Sequence, residues 1–120
     1  MKTLAYTLEL KNDPELIAKY VEHHKKVWPE VLRGIQNSGV KHSKIFLLGN
    51  RLFLIMQTDD SYEAEMLQSY ARDPKEKEWD ELMRTFQQPV KEARQGEWWA
   101  EMDMVFDYEQ QIASLDENRV

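Results

Sequence analysis

Apolar and polar residues alternate along the beginning of the chain. From Thr3 to Leu10 every second residue is leucine or tyrosine, which is the period of a half-buried strand. A similar alternation from Trp98 to Tyr108 predicts the last strand. Between them, Lys44–Leu48 and Arg51–Thr58 are short apolar runs separated by Gly49-Asn50, a two-residue hairpin signal. The pattern therefore predicts four strands, of which the middle two form a hairpin.

Helices are predicted where the apolar period changes to 3.6 residues and a start signal precedes it. Asp13-Pro14 and Asp73-Pro74 each place a capping carboxylate before a proline that suits the first helical turn. Asp59-Asp60-Ser61 supplies capping residues for another helix between the hairpin and Asp73. We expect the first helix to break at Trp28-Pro29-Glu30, because proline removes a helical donor, and to end at Ser38-Gly39.

The predicted order is strand, helix, strand, strand, helix pair, strand. This is the βαββαβ pattern of a ferredoxin-like sandwich, an α+β fold in which helices cover one face of a four-stranded antiparallel sheet. We predict a single domain over residues 1–108 and a polar C-terminal tail over 109–120 that frays. Residues 87–97 are polar and contain Pro89 and Gly96, so we expect them to form a helix tail and a loop.

The predicted hairpin is apolar on both sides, so the sheet face opposite the helices needs a cover. An exposed apolar face of this kind favours association, and two such faces can pack together in a symmetric homodimer, as in a dimeric α/β-barrel. The alternative is a monomer whose C-terminal tail covers the face. The hairpin residues concerned are Ile45 and Leu47 with Phe46 and Leu48, and Phe53 and Ile55 with Leu54 and Met56.

Composition narrows the class of protein. The 120 residues suffice for one domain, and 42% hydrophobic with 32% charged residues is typical of a soluble globular chain. A net charge of −6 without a long basic run argues against nucleic acid or a membrane as a partner. The absence of cysteine excludes disulfides and thiol catalysis. With neither a secretory signal nor an apolar run of spanning length, we expect a cytoplasmic protein.

Three aromatic side chains follow one another along the first predicted helix. Tyr20, His24 and Trp28 are four residues apart, so a phenol, an imidazole and an indole share one helix face. The imidazole can exchange a proton near neutral pH, and the aromatic rings can pack on the apolar face of a sugar. The competing interpretation is that the stripe is core and the histidine a satisfied core residue. The neighbouring carboxylates, Glu30 and Glu78, would then be ordinary surface residues.

Other kinds of site have little support in the chain. There is no glycine-rich phosphate loop and no nucleophile-elbow pattern. His23 and His24 are adjacent, so on a helix they point about 100° apart and cannot easily chelate one ion. We therefore expect neither a cofactor nor a metal. The alternative is a His-carboxylate metal site at His42, just before the second predicted strand.

The spacing of Tyr20, His24 and Trp28-Pro29-Glu30 resembles that of the L-rhamnose mutarotase family, and the resemblance extends from Leu4 to about Phe106. It implies a small ferredoxin-like isomerase that dimerises through its sheets and needs no metal or cofactor. Such an enzyme interconverts the α and β anomers of a 6-deoxy-L-hexose, with the histidine as acid and base.

Two positions depart from the rhamnose-acting pattern. Ser43 stands where that pattern often has tyrosine, and Glu78-Trp79 stands where it often has two tryptophans. A carboxylate in place of an indole replaces a stacking wall by a hydrogen-bond acceptor, which selects different hydroxyls. The sugar is therefore L-fucose or L-rhamnose. Stretches similar to a branch described as acting on L-fucose are Gly49-Asn50-Arg51-Leu52-Phe53, Met56 to Asp60, Leu82-Met83 and Phe86-Gln87.

The resemblance also implies roles for individual residues. His24 is expected to open and close the sugar ring by proton transfer. Tyr20 orients the sugar and assists with a proton, Trp79 packs on the ring or its methyl group, and Glu78 binds hydroxyls. The other residues expected to line or shape the pocket are Ser43, Trp28 and Glu30.

Two other classes of function are compatible with the sequence. One is a non-catalytic, dimeric ferredoxin-like binding module, in which the aromatic face is core and no pocket opens beside His24. The other is a relative of the haem-degrading proteins or cofactor-free monooxygenases, in which the helical histidine could ligate haem.

Overall fold

The chain folds into an antiparallel sheet with helices on one face. A computed structural model describes residues 1–63 and 73–117. Three strands lie side by side in the order β2 (Val40–Leu48), β3 (Arg51–Thr58) and β1 (Lys2–Leu10). Two short strands, β4 (Gln87–Gln88) and β5 (Ala100–Glu101), both pair with the remaining edge of β1. This is the predicted ferredoxin-like arrangement, with the fourth strand position divided in two. The elements are β1 Lys2–Leu10, α1 Pro14–His23, α2 Pro29–Asn37, β2 Val40–Leu48, β3 Arg51–Thr58, α3 Pro74–Arg84, β4 Gln87–Gln88, β5 Ala100–Glu101 and α4 Tyr108–Glu117.

Local signals in the sequence are confirmed at the ends of the helices. The Asp13 carboxylate accepts a hydrogen bond from the Glu15 amide at 2.9 Å, and that of Asp73 accepts from the Lys75 amide at 2.7 Å. These bonds satisfy amides that have no partner within the helix. A new helix starts at Pro29 as predicted, and Trp28 has the extended backbone that a following proline imposes (φ −60°, ψ 138°). The first helix ends earlier than predicted, however, with His24 as its C-cap. The prediction that Trp28 continues the helix face of Tyr20 and His24 is therefore wrong, because Trp28 caps α2 instead.

The core lies between the sheet and the helices. Leu8 and Leu10 of β1 and Leu52 of β3 are almost fully buried, as the alternation of β1 predicted. One side chain from each of the first two helices and two from α3 pack on them. The buried members of this cluster from the helices, and from the residues just after α3, are Tyr20, Val31, Trp79, Met83 and Phe86.

The predicted last strand is wrong over most of its length. Only Ala100–Glu101 pairs with β1, and the Met102 amide donates to the Ala5 carbonyl at 2.8 Å before the chain leaves the sheet. Residues 102–107 form neither helix nor strand. Alternation indicates an apolar face but does not guarantee pairing: β1 continues to Lys2, yet the chain after Met102 does not pair with it.

Three further boundaries differ from the sequence prediction. The chain from Tyr108 is helical rather than frayed, since the Asp107 carboxylate accepts from the Gln110 amide at 3.2 Å and caps α4. Gln87–Gln88 forms β4 where a loop was expected, and β2 begins at Val40 rather than Lys44. The helix predicted after Ser61 falls mostly on residues 64–72, outside the described residues.

The sheet face opposite the helices is open in the single chain. Phe46, Leu48 and Ile55 are 53%, 77% and 44% exposed, so the described part of the C-terminal tail, residues 109–117, does not cover them. Residues 102–116 are themselves largely exposed, and Val105 reaches 95%. Within the described ranges, no helix has the length and apolar character needed to cross a membrane.

Candidate functional site

A cavity of about 1020 Å³ opens between the helix layer and the inner face of the sheet. Its walls come from α1, α2 and α3 and from the helix-facing residues of β2 and β3. Tyr20, His24, Ser43 and Trp79 line it, so four of the predicted site residues share one space. A cavity of this size can enclose a small organic ligand.

The side chain of Glu76 on α3 lies over Gly34 of α2. A Cβ atom at Gly34 would overlap the Glu76 carboxylate. A glutamate side chain is flexible, so a larger residue at position 34 would displace this carboxylate. The carboxylate of Glu76 reaches the cavity wall.

The tautomer of His24 follows from its hydrogen bond. Its Nδ1 lies 2.9 Å from the carbonyl oxygen of Tyr20, one turn earlier in the chain. A carbonyl can only accept, so Nδ1 carries the proton and Nε2 has the available lone pair of the neutral ring. Burial lowers the pKa of His24 below 6.5, against the opposing effect of the Tyr20 hydrogen bond. His24 is therefore neutral at pH 7 and can accept a proton at Nε2.

Aromatic rings surround this imidazole. The Tyr20 ring lies 4.2 Å from it at a tilt of 33°, and the Trp79 ring meets it edge-on at 5.5 Å. Trp28 packs edge-on against Trp79 at 5.1 Å between ring centroids, and the Lys75 ammonium lies 5.6 Å from the Trp28 ring. Trp28 thus supports Trp79 from behind and does not line the cavity.

The Tyr20 side chain belongs to both the core and the cavity wall. It is 2% exposed, and burial raises the pKa of its hydroxyl to about 12, although a hydrogen bond from Gln87 opposes the shift. The hydroxyl is therefore protonated throughout the neutral range. Gln87 itself is 5% exposed and lines the cavity.

Two predicted carboxylates lie away from the cavity lining. Glu78 is 59% exposed at its side chain and pairs with Lys75 at 3.2 Å on the outer surface of α3. Glu30 is exposed in the first turn of α2. The acidic groups that do reach the cavity from α3 are Asp73, Glu76 and Asp80.

Asp80 is the most constrained of these acidic groups. Its carboxylate accepts a hydrogen bond from Nε of Arg84 at 2.9 Å. Burial raises the pKa of Asp80, while Arg84 lowers it. Within residues 1–63 and 73–117, no three His, Asp or Glu side chains are grouped as a metal site would require.

Sequence and structure comparisons agree on the relatives of this chain. The family model for L-rhamnose mutarotase matches residues 3–108. A UPF0734 protein of Dictyostelium discoideum is 43% identical over 111 residues, covering 88% of this chain and 89% of that protein. An L-fucose mutarotase of Xanthomonas campestris is 36% identical over 109 residues, covering 88% and 87%. The crystal structure of an L-rhamnose mutarotase from Formosa agariphila has the same fold, with a TM-score of 0.65 over 89% of this chain and 98% of that chain at 22% identity.

Proposed function

This chain belongs to the L-rhamnose mutarotase family of carbohydrate isomerases, and we propose that it interconverts the α and β anomers of L-fucose or L-rhamnose in the cavity beside His24. The observation that carries this proposal is the state of His24. Its Nδ1 proton is fixed by the Tyr20 carbonyl, its pKa is lowered by burial, and its ring borders a cavity with aromatic walls.

Proton transfer at two oxygens accounts for the reaction. Nε2 of His24 removes the proton of the C1 hydroxyl, the bond between C1 and the ring oxygen breaks, and the ring oxygen takes up a proton. The product is the open-chain aldehyde. Rotation about the C1–C2 bond exposes the other carbonyl face, and the same transfers in reverse close the opposite anomer. The Tyr20 hydroxyl is our candidate for the proton donor at the ring oxygen, because its raised pKa keeps it protonated.

Sugar binding is assigned to the walls of the same cavity. Trp79 offers an indole edge beside His24, suited to the ring face or the methyl group of a 6-deoxy sugar. Ser43 and Glu76 line the cavity and can bond hydroxyls. A role for Glu78 in hydroxyl binding stays a prediction, and its side chain would have to leave Lys75 to enter the cavity. Trp28 would contribute to the pocket through its contact with Trp79, and a role for Glu30 stays a prediction.

Saturation transfer between the two anomeric protons of each free sugar tests this function. We expect the protein to accelerate the exchange for L-fucose, for L-rhamnose or for both, with the faster sugar identified as the preferred substrate. The methyl glycoside of the same sugar is the control, because it lacks the C1 hydroxyl proton and cannot open. A folded protein that accelerates neither sugar would contradict the proposal and favour a non-catalytic binding module.

We further propose that two copies pack through the open sheet face as a homodimer. The argument is the exposed apolar surface of Phe46, Leu48 and Ile55, which all point away from the helices. Burying such a face in a symmetric partner removes it from water.

A charge on this face should separate the copies. Phe46→Glu should reduce the molar mass in size-exclusion chromatography with light scattering from that of two chains to that of one, because the carboxylate would be buried without a partner. Val21→Glu is the matched control, since Val21 is 40% exposed on the helix layer. An unsubstituted protein with the mass of one chain would refute the dimer. So would a Phe46→Glu variant with unchanged mass.

A further inference from the structure

A buried glutamine links the Tyr20 hydroxyl to an indole outside α1. Gln87 is the first residue of β4, opposite Leu10 of β1, and only 5% of it is exposed. Its Nε2 lies 3.4 Å from the Tyr20 hydroxyl, and its Oε1 lies 2.9 Å from Nε1 of Trp98. The proton-transfer scheme above does not explain this chain of polar groups.

The direction of both hydrogen bonds follows from the chemistry of the groups. An indole nitrogen can only donate, so the Gln87 oxygen must face Trp98 and its amino group must face Tyr20. The amino group can only donate, so the Tyr20 oxygen accepts from it. A phenol has a single proton, and that proton is therefore left for a different acceptor. The Tyr20 side chain borders the cavity, so a bound sugar can supply the acceptor.

The anchor of this chain is itself held in place. The guanidinium of Arg84 lies 4.5 Å from the Trp98 ring, and Arg84 is bonded to Asp80 on α3 at 2.9 Å. The indole is thus tied to the helix that carries Trp79. The Gln87 amide has one favoured orientation, since flipping it would set its amino group against the Trp98 N–H, and both of these groups can only donate.

We propose that Gln87, oriented by Trp98, is a positioning residue that holds the Tyr20 hydroxyl as a hydrogen-bond donor toward the ring oxygen of the sugar. This inference rests on the proposed function and adds to it separate roles for a proton acceptor and a proton donor. Neutral His24 presents a lone pair at Nε2, while Tyr20 presents a proton. Both groups are kept in these states by fixed neighbours rather than by the substrate.

Gln87→Glu is the informative variant because it keeps the size of the side chain and reverses one hydrogen bond. Both carboxylate oxygens accept, so the Tyr20 hydroxyl would donate to residue 87 and turn away from the sugar. We expect the exchange rate to fall about 10²-fold, as when a donor to a developing oxyanion is lost. Gln87→Met removes both bonds but leaves the hydroxyl free to rotate, and should cost about fivefold. Trp98→Phe removes the indole N–H together with part of the ring beneath Arg84, and should also have a small effect because the Gln87 amino group keeps its bond to Tyr20.

A double-mutant comparison decides whether Gln87 acts through Tyr20. In a Tyr20→Phe background the phenol oxygen is absent, so Gln87→Glu should cause no further loss. An equal loss in both backgrounds would overturn the proposal, as would a Gln87→Glu variant with full activity. Thermal unfolding of each variant checks that the comparison is made between folded proteins.

A spectroscopic readout separates this proposal from the proposed function. The NMR spectra of Gln87→Met and of the unsubstituted protein are compared. The resonances of the Trp98 indole proton and of the Tyr20 ring carbon that bears the hydroxyl should both differ between the two proteins. If the protein isomerises neither sugar but both resonances shift, the hydrogen-bond chain stands and the proposed function fails. If neither resonance shifts, the chain is absent and the inference fails whatever the activity.

Discussion

Replacing His24 by alanine should slow anomer exchange by about 10²–10⁴-fold, the contribution of one positioned acid or base. The variant loses the lone pair at Nε2 that takes the C1 proton, and water does not replace it in a fixed geometry. The fold should survive, because His24 ends α1 through its backbone amide and its side chain contributes one hydrogen bond, to a carbonyl. Saturation transfer with the preferred sugar measures the loss.

His23→Ala is the matched control for this experiment. It removes the same ring from the adjacent position, where the imidazole lies 6.2 Å from Trp79 and 5.7 Å from Phe86 without lining the cavity. We expect its exchange rate to stay within about threefold of the unsubstituted protein, since one helical step turns a side chain by about 100°. Full activity in His24→Ala, or equal losses in the two variants, would refute the assignment of the acid and base.

The pH profile provides an independent check on His24. Because burial places its pKa below 6.5, the exchange rate should be level above pH 6.5 and fall only as the pH drops through this lowered value. In His24→Ala that acidic limb should vanish. The free energy of unfolding should depend on pH in the same direction. The unfolded chain binds the His24 proton more readily than the folded chain does, so the contribution of His24 to stability is present above pH 6.5 and is lost in acid. A limb centred above pH 7 would contradict a neutral, buried base.

Local chemistry explains which parts of the fold could be predicted from the sequence. Asp13 and Asp73 cap the amides two residues onward, and Pro29 dictates the backbone of Trp28, so each signal lies within a few residues of its effect. The Trp98–Tyr108 pattern failed because alternation marks an apolar face, whereas pairing with β1 depends on contacts far away in the chain. The cap at Asp107 was a local signal that the alternation obscured.

The residues of the candidate site also differ in whether local sequence spacing could predict them. The face shared by Tyr20 and His24 was predictable from helical spacing, whereas the place of Trp79 beside the cavity was expected from the family resemblance. Glu78 could have been questioned on geometry alone, because adjacent helical residues point about 100° apart, so a carboxylate next to a cavity-facing indole faces elsewhere. Glu76 shares the face of Trp79. Gln87 was not predictable in this way, since its partners lie 67 and 11 residues away.

Replacing Trp79 by alanine should damage both the stability and the activity of the protein. The indole is 6% exposed and belongs to the main core cluster, and truncating a buried tryptophan to alanine costs about 3–5 kcal/mol. That is a large share of the about 5–15 kcal/mol that stabilises a typical domain. The same change removes the contact between the indole and the His24 ring, and it removes the surface against which the sugar is proposed to pack. Urea unfolding measures the first loss, and the sugar concentration at half-maximal exchange rate measures the second.

Phe86→Ala separates these two effects. Phe86 is also 6% exposed and lies in the same cluster, but it does not line the cavity, so it should lose about 3–5 kcal/mol while the sugar dependence stays unchanged. Trp79→Phe should have the opposite effect. The smaller ring preserves most of the buried apolar area and therefore most of the stability, but it presents a smaller aromatic surface to the sugar. If Trp79→Phe and Phe86→Ala changed the sugar dependence equally, the indole would serve the core alone, and the sugar would have to bind against Tyr20.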